Sequence, residues 1–369
     1  MSEGNNLFDW ANKELAQDAF LCWLLAHIGQ PADSAEKRIA LKLVAALTGD
    51  ETFAAQGPVR IYKQYHYVDI LLTVNEDGLR EERRALMIED KVTADLYNNL
   101  EGYRESICAE NAFNLPIENV YCAVIKTAED GDLQWCLEHQ ESSFKPRLML
   151  RKELLDILDS EPSTSEILND FIAHLQTADA RYSVWKTKPY EEWKKDGEYA
   201  WMGYQGLFSA LLKYETGFEC WFYFNNPTAP FNCLWMDAEW ITINLERGPT
   251  EAAFYFHLNS TTQELQLKLG ELDKAYCSEF RDIVISRIDT LQEKGMLPAL
   301  LSNMQPPNRL GHGCYVTLKN IPDLPEEGHG WLILDTEGKV DIAATASRLL
   351  NFTNTISELA QLIEDTNKQ

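Results

Sequence analysis

The sequence predicts an α/β protein: a core in the order helix, mixed β-sheet, helix, strand, followed by a C-terminal α+β domain with an antiparallel sheet. Three observations predict it. A run with helical periodicity at residues 7–28 precedes short β-rich runs and a further helix and strand. The chain has 369 residues, more than one ordinary domain holds. Beyond residue 201 the texture changes to β-rich runs separated by turn residues. The expected boundaries are 1–180 for the first domain, 181–201 for a linker and 202–369 for the second.

In LFDWANKELAQDAFLCWLLAHI, Leu15, Phe20, Trp23, Leu24 and Ile28 can share a core-facing stripe, with Glu14 and Asp18 one turn apart on a flank. Gly29, Gln30 and Pro31 end that helix. Ser34 is a natural N-cap for a second helix to Leu47, with Ala35, Ile39, Leu41, Val44 and Leu47 at its apolar positions. VRIYKQY and HYVDILLTV read as strands, Asn75 to Gly78 as a turn, and ALMIEDKV as the next strand. A helix starting at Thr93 or Asp95 carries Leu96, Leu100, Tyr103 and Ile107 on one stripe. NVYCAVIKT, bounded by turns, fits an interior strand. Residues 130–180 read as a peripheral piece with helices around 151–158 and 165–175. In the second domain ECWFYFNN, CLWMDAEWITINLE, EAAFYFHLNS and QELQLKLG suggest an antiparallel meander, completed by a helix over 272–294, the strand CYVTLKN and a helix over 342–363.

Composition narrows the function. The net charge of −25 argues against a broad basic face that coats nucleic acid, although a metal or a small basic patch can act within an acidic whole. No apolar run approaches the roughly 20 residues of a membrane span, and the polar N-terminus lacks a signal-peptide pattern, so a cytoplasmic protein without a membrane partner is expected. The eight cysteines form no CxxC pair, which points to buried thiols rather than zinc or disulfides.

Side chains alternate along a strand, so Glu89 and Lys91 project together, roughly 6.5–7 Å apart. If the neighbouring strand pairs with matching faces, Asp69 joins them. Two carboxylates and an ammonium in otherwise apolar strands need mutual pairing or a metal. Such a set suits phosphodiester hydrolysis: hard oxygen ligands hold Mg²⁺, and a lysine positions or deprotonates water or neutralises developing charge. The bland reading of the triplet alone is a solvated ion pair.

The combination of an acidic first helix reading ELAQDAFLCWLL, then VDILL, then IEDK, then a helix with Asn98-Asn99-Leu100-Glu101-Gly102-Tyr103 resembles the PD-(D/E)XK nuclease superfamily over residues 7–126. It is most similar to a bacterial branch with an Asn-Gln-Leu-x-x-Tyr helix motif. The resemblance implies a restriction-endonuclease-like core and a metal-dependent DNA endonuclease, in a setting such as restriction, phage defence or mobile elements. Asp69 and Glu89 would be metal ligands for Mg²⁺, with Mn²⁺ as a substitute, and Lys91 the catalytic lysine. Glu14 would complete the site through a water, with Asp18 competing for that role. Asn99 stands where the motif has glutamine, and Val68 where the superfamily pattern has a proline that many members lack.

Tyr103 follows Asn99 on the same flank and is a candidate for substrate contact or plain packing. Asp90 is expected to tie the strand to a neighbouring element, and His66 to be a surface residue. Lys186 and Lys188, interleaved with Trp185, Tyr190 and Trp193, offer a candidate contact for a nucleic-acid strand or a docked linker. Arg80, Arg83 and Arg84, and Lys145, Arg147, Arg151 and Lys152, are small basic clusters. The rival function is a non-catalytic scaffold whose acidic surface binds a protein partner. The C-terminal domain would serve substrate, a partner or homodimerisation.

Overall fold

A computed structural model describes residues 6–10, 13–92, 99–109, 113–129, 133, 137, 144–195, 197–214, 220–225, 231–246, 248–259, 264–307, 315–321 and 331–366. The chain divides into two compact units, Met1–Arg181 and Tyr182–Gln369.

The first unit opens with α1 (Leu7–Trp10), α2 (Lys13–Ala26) and α3 (Ala35–Thr48). Ser34 Oγ accepts from the Lys37 amide at 3.2 Å, and Gly49 closes α3 in the left-handed region at φ 70°, where a residue without Cβ fits best. The strands are β1 (Val59–Tyr65), β2 (Val68–Val74), β3 (Arg84–Lys91), β4 (Val120–Lys126) and β5 (Arg147–Leu150), with α4 (Leu100–Ala109) between β3 and β4. They form one sheet in chain order. The β1–β2 and β2–β3 pairs are antiparallel, and β3–β4 and β4–β5 are parallel. The sheet is therefore mixed. Helices α5 (Arg151–Leu158) and α6 (Glu166–Tyr182) follow. The expected helix start at 93–95 and the position Leu96 lie outside the described residues.

Both faces of this sheet are covered, which is why β2 and β3 are continuously apolar rather than alternating. Ile70, Leu72, Leu86, Ile88 and Ile125 pack on the face of α2, α3 and α6, where Phe20 stacks on Phe171 with ring centroids 3.8 Å apart. Leu71, Met87, Cys122 and Val124 pack with Leu100 and Ile107 of α4. Three expected core positions differ. Leu15 is exposed, and Leu21 and Leu25 are buried instead, because α2 docks through a face turned toward its C-terminal half. In α3, Ala40 and Leu43 occupy the core where Ala35 and Leu41 were expected. The short edge strand β5 was not foreseen.

The second unit contains α7 (Val184–Thr187), α8 (Tyr190–Trp193), α9 (Gly197–Leu212), β6 (Cys220–Asn225), β7 (Phe231–Leu245), β8 (Gly248–Asn259), β9 (Glu264–Gly270), α10 (Cys277–Glu293), β10 (Val316–Ile321) and α11 (Ile342–Asp365). Its five strands form the expected meander, β6 to β10, antiparallel throughout. Over 181–201, where composition suggested a linker, the chain is instead largely helical. Trp185, Tyr190 and Trp193 are buried in this unit's core, and Tyr190 and Tyr204 share a 2.7 Å hydroxyl hydrogen bond. Aromatic rings pack inward there while Lys186, Lys188 and Lys195 stay exposed and Lys194 pairs with Glu191.

Candidate active site

The β2–β3 register pairs Ile70 with Ile88 and Leu71 with Met87. One further step along the same register sets Asp69 opposite Glu89. Both lie on the α4 face with Leu71 and Met87, and Lys91 follows on that face. The geometry brings the three together: Lys91 Nζ lies 2.5 Å from Glu89 Oε1 and 3.6 Å from Asp69 Oδ2. The same ammonium donates to the Asp90 carbonyl at 3.2 Å. Glu89 is 2% exposed, so this is no solvated surface pair.

Asp90 points to the opposite face, toward α2. Its carboxyl accepts from Gln17 Nε2 at 2.5 Å, and Gln17 Oε1 accepts from Thr127 Oγ1 at 2.9 Å. Its backbone amide donates to Asp69 Oδ2 at 2.9 Å. Asp90 thus ties helix, strand and site carboxylate together. Thr127 is also anchored from behind, since Arg151 Nη1 donates to its carbonyl at 2.8 Å.

Burial pushes the Glu89 carboxyl up to about 7, aided by the Asp69 charge and opposed by Lys91. Burial likewise carries Asp18 to about 6, with Asp69 adding to it and Lys63, 3.8 Å away, working against it. Asp90 is pushed well above the usual carboxylate range, chiefly by burial, against the Gln17 hydrogen bond. For Lys91, burial disfavours the cation, but the bond to Glu89 and the charges of Glu89 and Asp69 outweigh it, and the net shift is upward.

Of the helix carboxylates, Asp18 is the one drawn to the strands: it is 3% exposed and pairs with Lys63 of β1 at 3.8 Å. Glu14 acts on Lys91 only through its charge, as the smallest of that lysine's influences. The difference comes from the docking face of α2. Asn99 is exposed, and its Oδ1 accepts from the Gly102 amide at 3.0 Å, so its amide oxygen caps α4. Tyr103, half-buried, stacks with Tyr67. His66 is exposed, as expected. Lys186 and Lys188 are exposed on the second unit, Lys186 with its ammonium 5.0 Å from the Trp185 ring, and the cluster in the first unit is built without them. Arg83 and Arg84 are committed to the Gly78 carbonyl and to Asp50. Lys145, Arg147 and Lys152 line a cleft of about 550 Å³, in which Glu153 and Asp156 pair with Arg147 and Lys152.

Sequence reasoning missed Gln17, Thr127 and Lys126. Lys126 pairs in register with Lys91 and is 3% exposed. The signal for it was present: a lysine closing an apolar interior strand immediately beside the strand that ends in Lys91.

Among the described residues no group of three or more His, Cys, Asp or Glu side chains is placed to hold a metal. Asp69 and Glu89 are two such donors, with the Lys91 ammonium between them. Two carboxylates suit a magnesium site, which draws its remaining ligands from water and substrate phosphate rather than from a full protein cage. Comparison of the chain with protein-family models, curated proteins and solved structures finds no match. Fold and site define the class: a two-unit protein with a mixed α/β sheet and an antiparallel sheet, carrying an acid, acid and lysine cluster across β2 and β3. No described helix is long and apolar enough to cross a membrane.

Proposed function

We propose that this protein is a metal-dependent nuclease that hydrolyses DNA phosphodiester bonds at Asp69, Glu89 and Lys91. One observation carries the reading: Lys91 Nζ stands 2.5 Å from Glu89 and 3.6 Å from Asp69, in strands that are otherwise core. Burying Glu89 and partly burying Lys91 and Asp69 costs desolvation energy, an arrangement that recurs where charge performs chemistry. The order of α2, β2, β3, α4 and β4 agrees with a PD-(D/E)XK core, and the same likeness suggests a bacterial defence or mobile-element setting.

Asp69 and Glu89 would hold Mg²⁺, or Mn²⁺ in its place, and the ion when bound would supply Lewis acidity toward the phosphate and a more acidic water. The chain's own residues do the rest. Lys91, with its affinity for the proton raised, stays cationic at neutral pH, so it holds a phosphate oxygen and neutralises charge that builds there rather than taking a proton. The Asp90 amide fixes the Asp69 carboxylate, and Gln17 fixes Asp90 from the helix side. The second unit would serve substrate, a protein partner or self-association.

The test is cleavage of plasmid DNA in Mg²⁺ or Mn²⁺ against EDTA. Asp69→Ala and Lys91→Ala should each abolish cutting with circular dichroism unchanged; cutting that survives both refutes the assignment. The scaffold reading is favoured by Asn99, whose amide oxygen caps a helix. It is separated by calorimetric Mn²⁺ titration: a nuclease shows saturable binding that Glu89→Ala removes, a scaffold none.

A further inference from the structure

The connection between β1 and β2 is two residues long. Tyr65 pairs with Val68, which leaves only His66 and Tyr67 in the turn, at φ 46° and 74°. Positive φ at both central positions is the type I′ geometry, for which Asn-Gly is the favoured pair because bulky side chains fit the left-handed region poorly. Here the chain holds a histidine and a tyrosine instead. Burial does not explain the tyrosine, since Tyr67 is 82% exposed. Its ring stacks on Tyr103 of α4, with centroids 5.9 Å apart and planes inclined at 21°. Tyr65, on the other side of the turn, packs against Tyr62 and Phe113 at 5.3 and 5.5 Å, which fixes the hairpin end. A local conflict between residue type and backbone geometry, sustained at an exposed position, is a mark of function.

We infer that Tyr67, backed by Tyr103, is a stacking platform for an unpaired base of a DNA strand whose phosphate enters the Asp69, Glu89 and Lys91 cluster. Single-stranded or locally opened DNA is then the preferred substrate. The inference rests on the nuclease reading of that cluster and names its substrate class. Tyr67 stands two residues before Asp69, so a base held on the ring and a backbone phosphate at the cluster belong to the same stretch of strand. An exposed ring supported from behind presents an open π-face, and every base has a matching one, so the contact tolerates any sequence. In a duplex the bases already stack on each other and offer no free face. Stacking also suits a chain of net charge −25, which has little long-range attraction for phosphate and needs affinity from contacts that carry no charge.

The test uses the full-length protein in EDTA and reads fluorescence anisotropy with labelled oligothymidine, the same strand carrying abasic sites, and a hairpin duplex. Wild type should bind the single strand more tightly than the duplex. Tyr67→Ala should lose about tenfold or more on the single strand and little on the duplex, whereas Tyr67→Phe should keep the affinity. The abasic strand should bind wild type as weakly as oligothymidine binds Tyr67→Ala. Tyr67→Gly relieves the turn, so its melting temperature should hold or rise while affinity falls, which separates lost binding from lost folding. Equal binding by wild type and Tyr67→Ala, preference for the duplex, or no oligonucleotide binding by wild type overturns the platform. If wild type still cleaves duplex plasmid with metal in those cases, the nuclease reading stands without it. Tyr67-dependent single-strand binding in a protein that cuts nothing with Mg²⁺ or Mn²⁺ upholds the platform and sinks the nuclease reading.

Discussion

Gln17 is the residue whose removal should do most damage for its size. It lies on α2, 3% exposed, and bridges Asp90 and Thr127, donating to one at 2.5 Å and accepting from the other at 2.9 Å. Gln17→Leu fills nearly the same volume but leaves a buried carboxyl oxygen and a buried hydroxyl facing a hydrocarbon. A lost neutral bond of this kind costs about 1–3 kcal/mol and one to an acidic group more, so the sum is about 3–5 kcal/mol. That is a large part of the stability of an ordinary domain. Urea denaturation at neutral pH should show the midpoint falling with little change in slope. On the proposed nuclease reading the cluster should suffer as well, because the Asp90 amide that holds Asp69 loses its fixed position, and plasmid cutting should slow. Gln17→Glu retains the acceptor toward Thr127 but sets a second carboxyl against Asp90, and should be no better than leucine. A Gln17→Leu protein within about 0.5 kcal/mol of wild type would refute the claim that this bridge holds α2 to the end of β3.

His257 on β8 gives the second unit a pH dependence. Burial, with Lys268 adding to it and the Gln266 hydrogen bond opposing, lowers it from 6.5 to about 3. The folded state therefore keeps it neutral while the unfolded chain takes a proton below 6.5, so stability present above that pH is lost as pH falls toward 3. Between pH 7 and pH 5 the loss is about 2 kcal/mol. Asp18 and Glu89 of the first unit are raised and act in the opposite sense over the same range. Denaturation at the two pH values should weaken the second unit and not the first, and His257→Gln should flatten its response; an unchanged response would refute the assignment. Gly206 on α9 is a packing test. A Cβ there would stand 2.0 Å from the Tyr182 carbonyl oxygen, a backbone atom that cannot step aside, so Gly206→Ala should lower stability by about 2 kcal/mol or more in thermal melts despite its better helix propensity.

The strand pattern was legible in the sequence because alternation is a local property of the backbone. VDILLTV and ALMIEDKV place Asp69 with Leu71, and Glu89 with Met87 and Lys91, whatever surrounds them. Their meeting then follows from one antiparallel register. The cap at Ser34, the meander and the closing helix from Ile342 were equally local, since each depends on residues a turn or a strand apart. Other features belonged to the tertiary structure. Glu14 and Asp18 sit on one flank of α2, and only the rotation that buries Leu21 and Leu25 decided that Asp18 reaches the strands. Residues 181–201 mix charge with aromatics, a composition equally suited to a linker; the second unit's core took up Trp185, Tyr190 and Trp193 and made them structure. His66 and Tyr67 gave no turn signal at all, yet the β1–β2 register closed on them. Side-chain alternation and caps are fixed by sterics within a few residues, whereas the docking face of a helix and the closure of a hairpin are fixed by the surface that the rest of the chain presents to them.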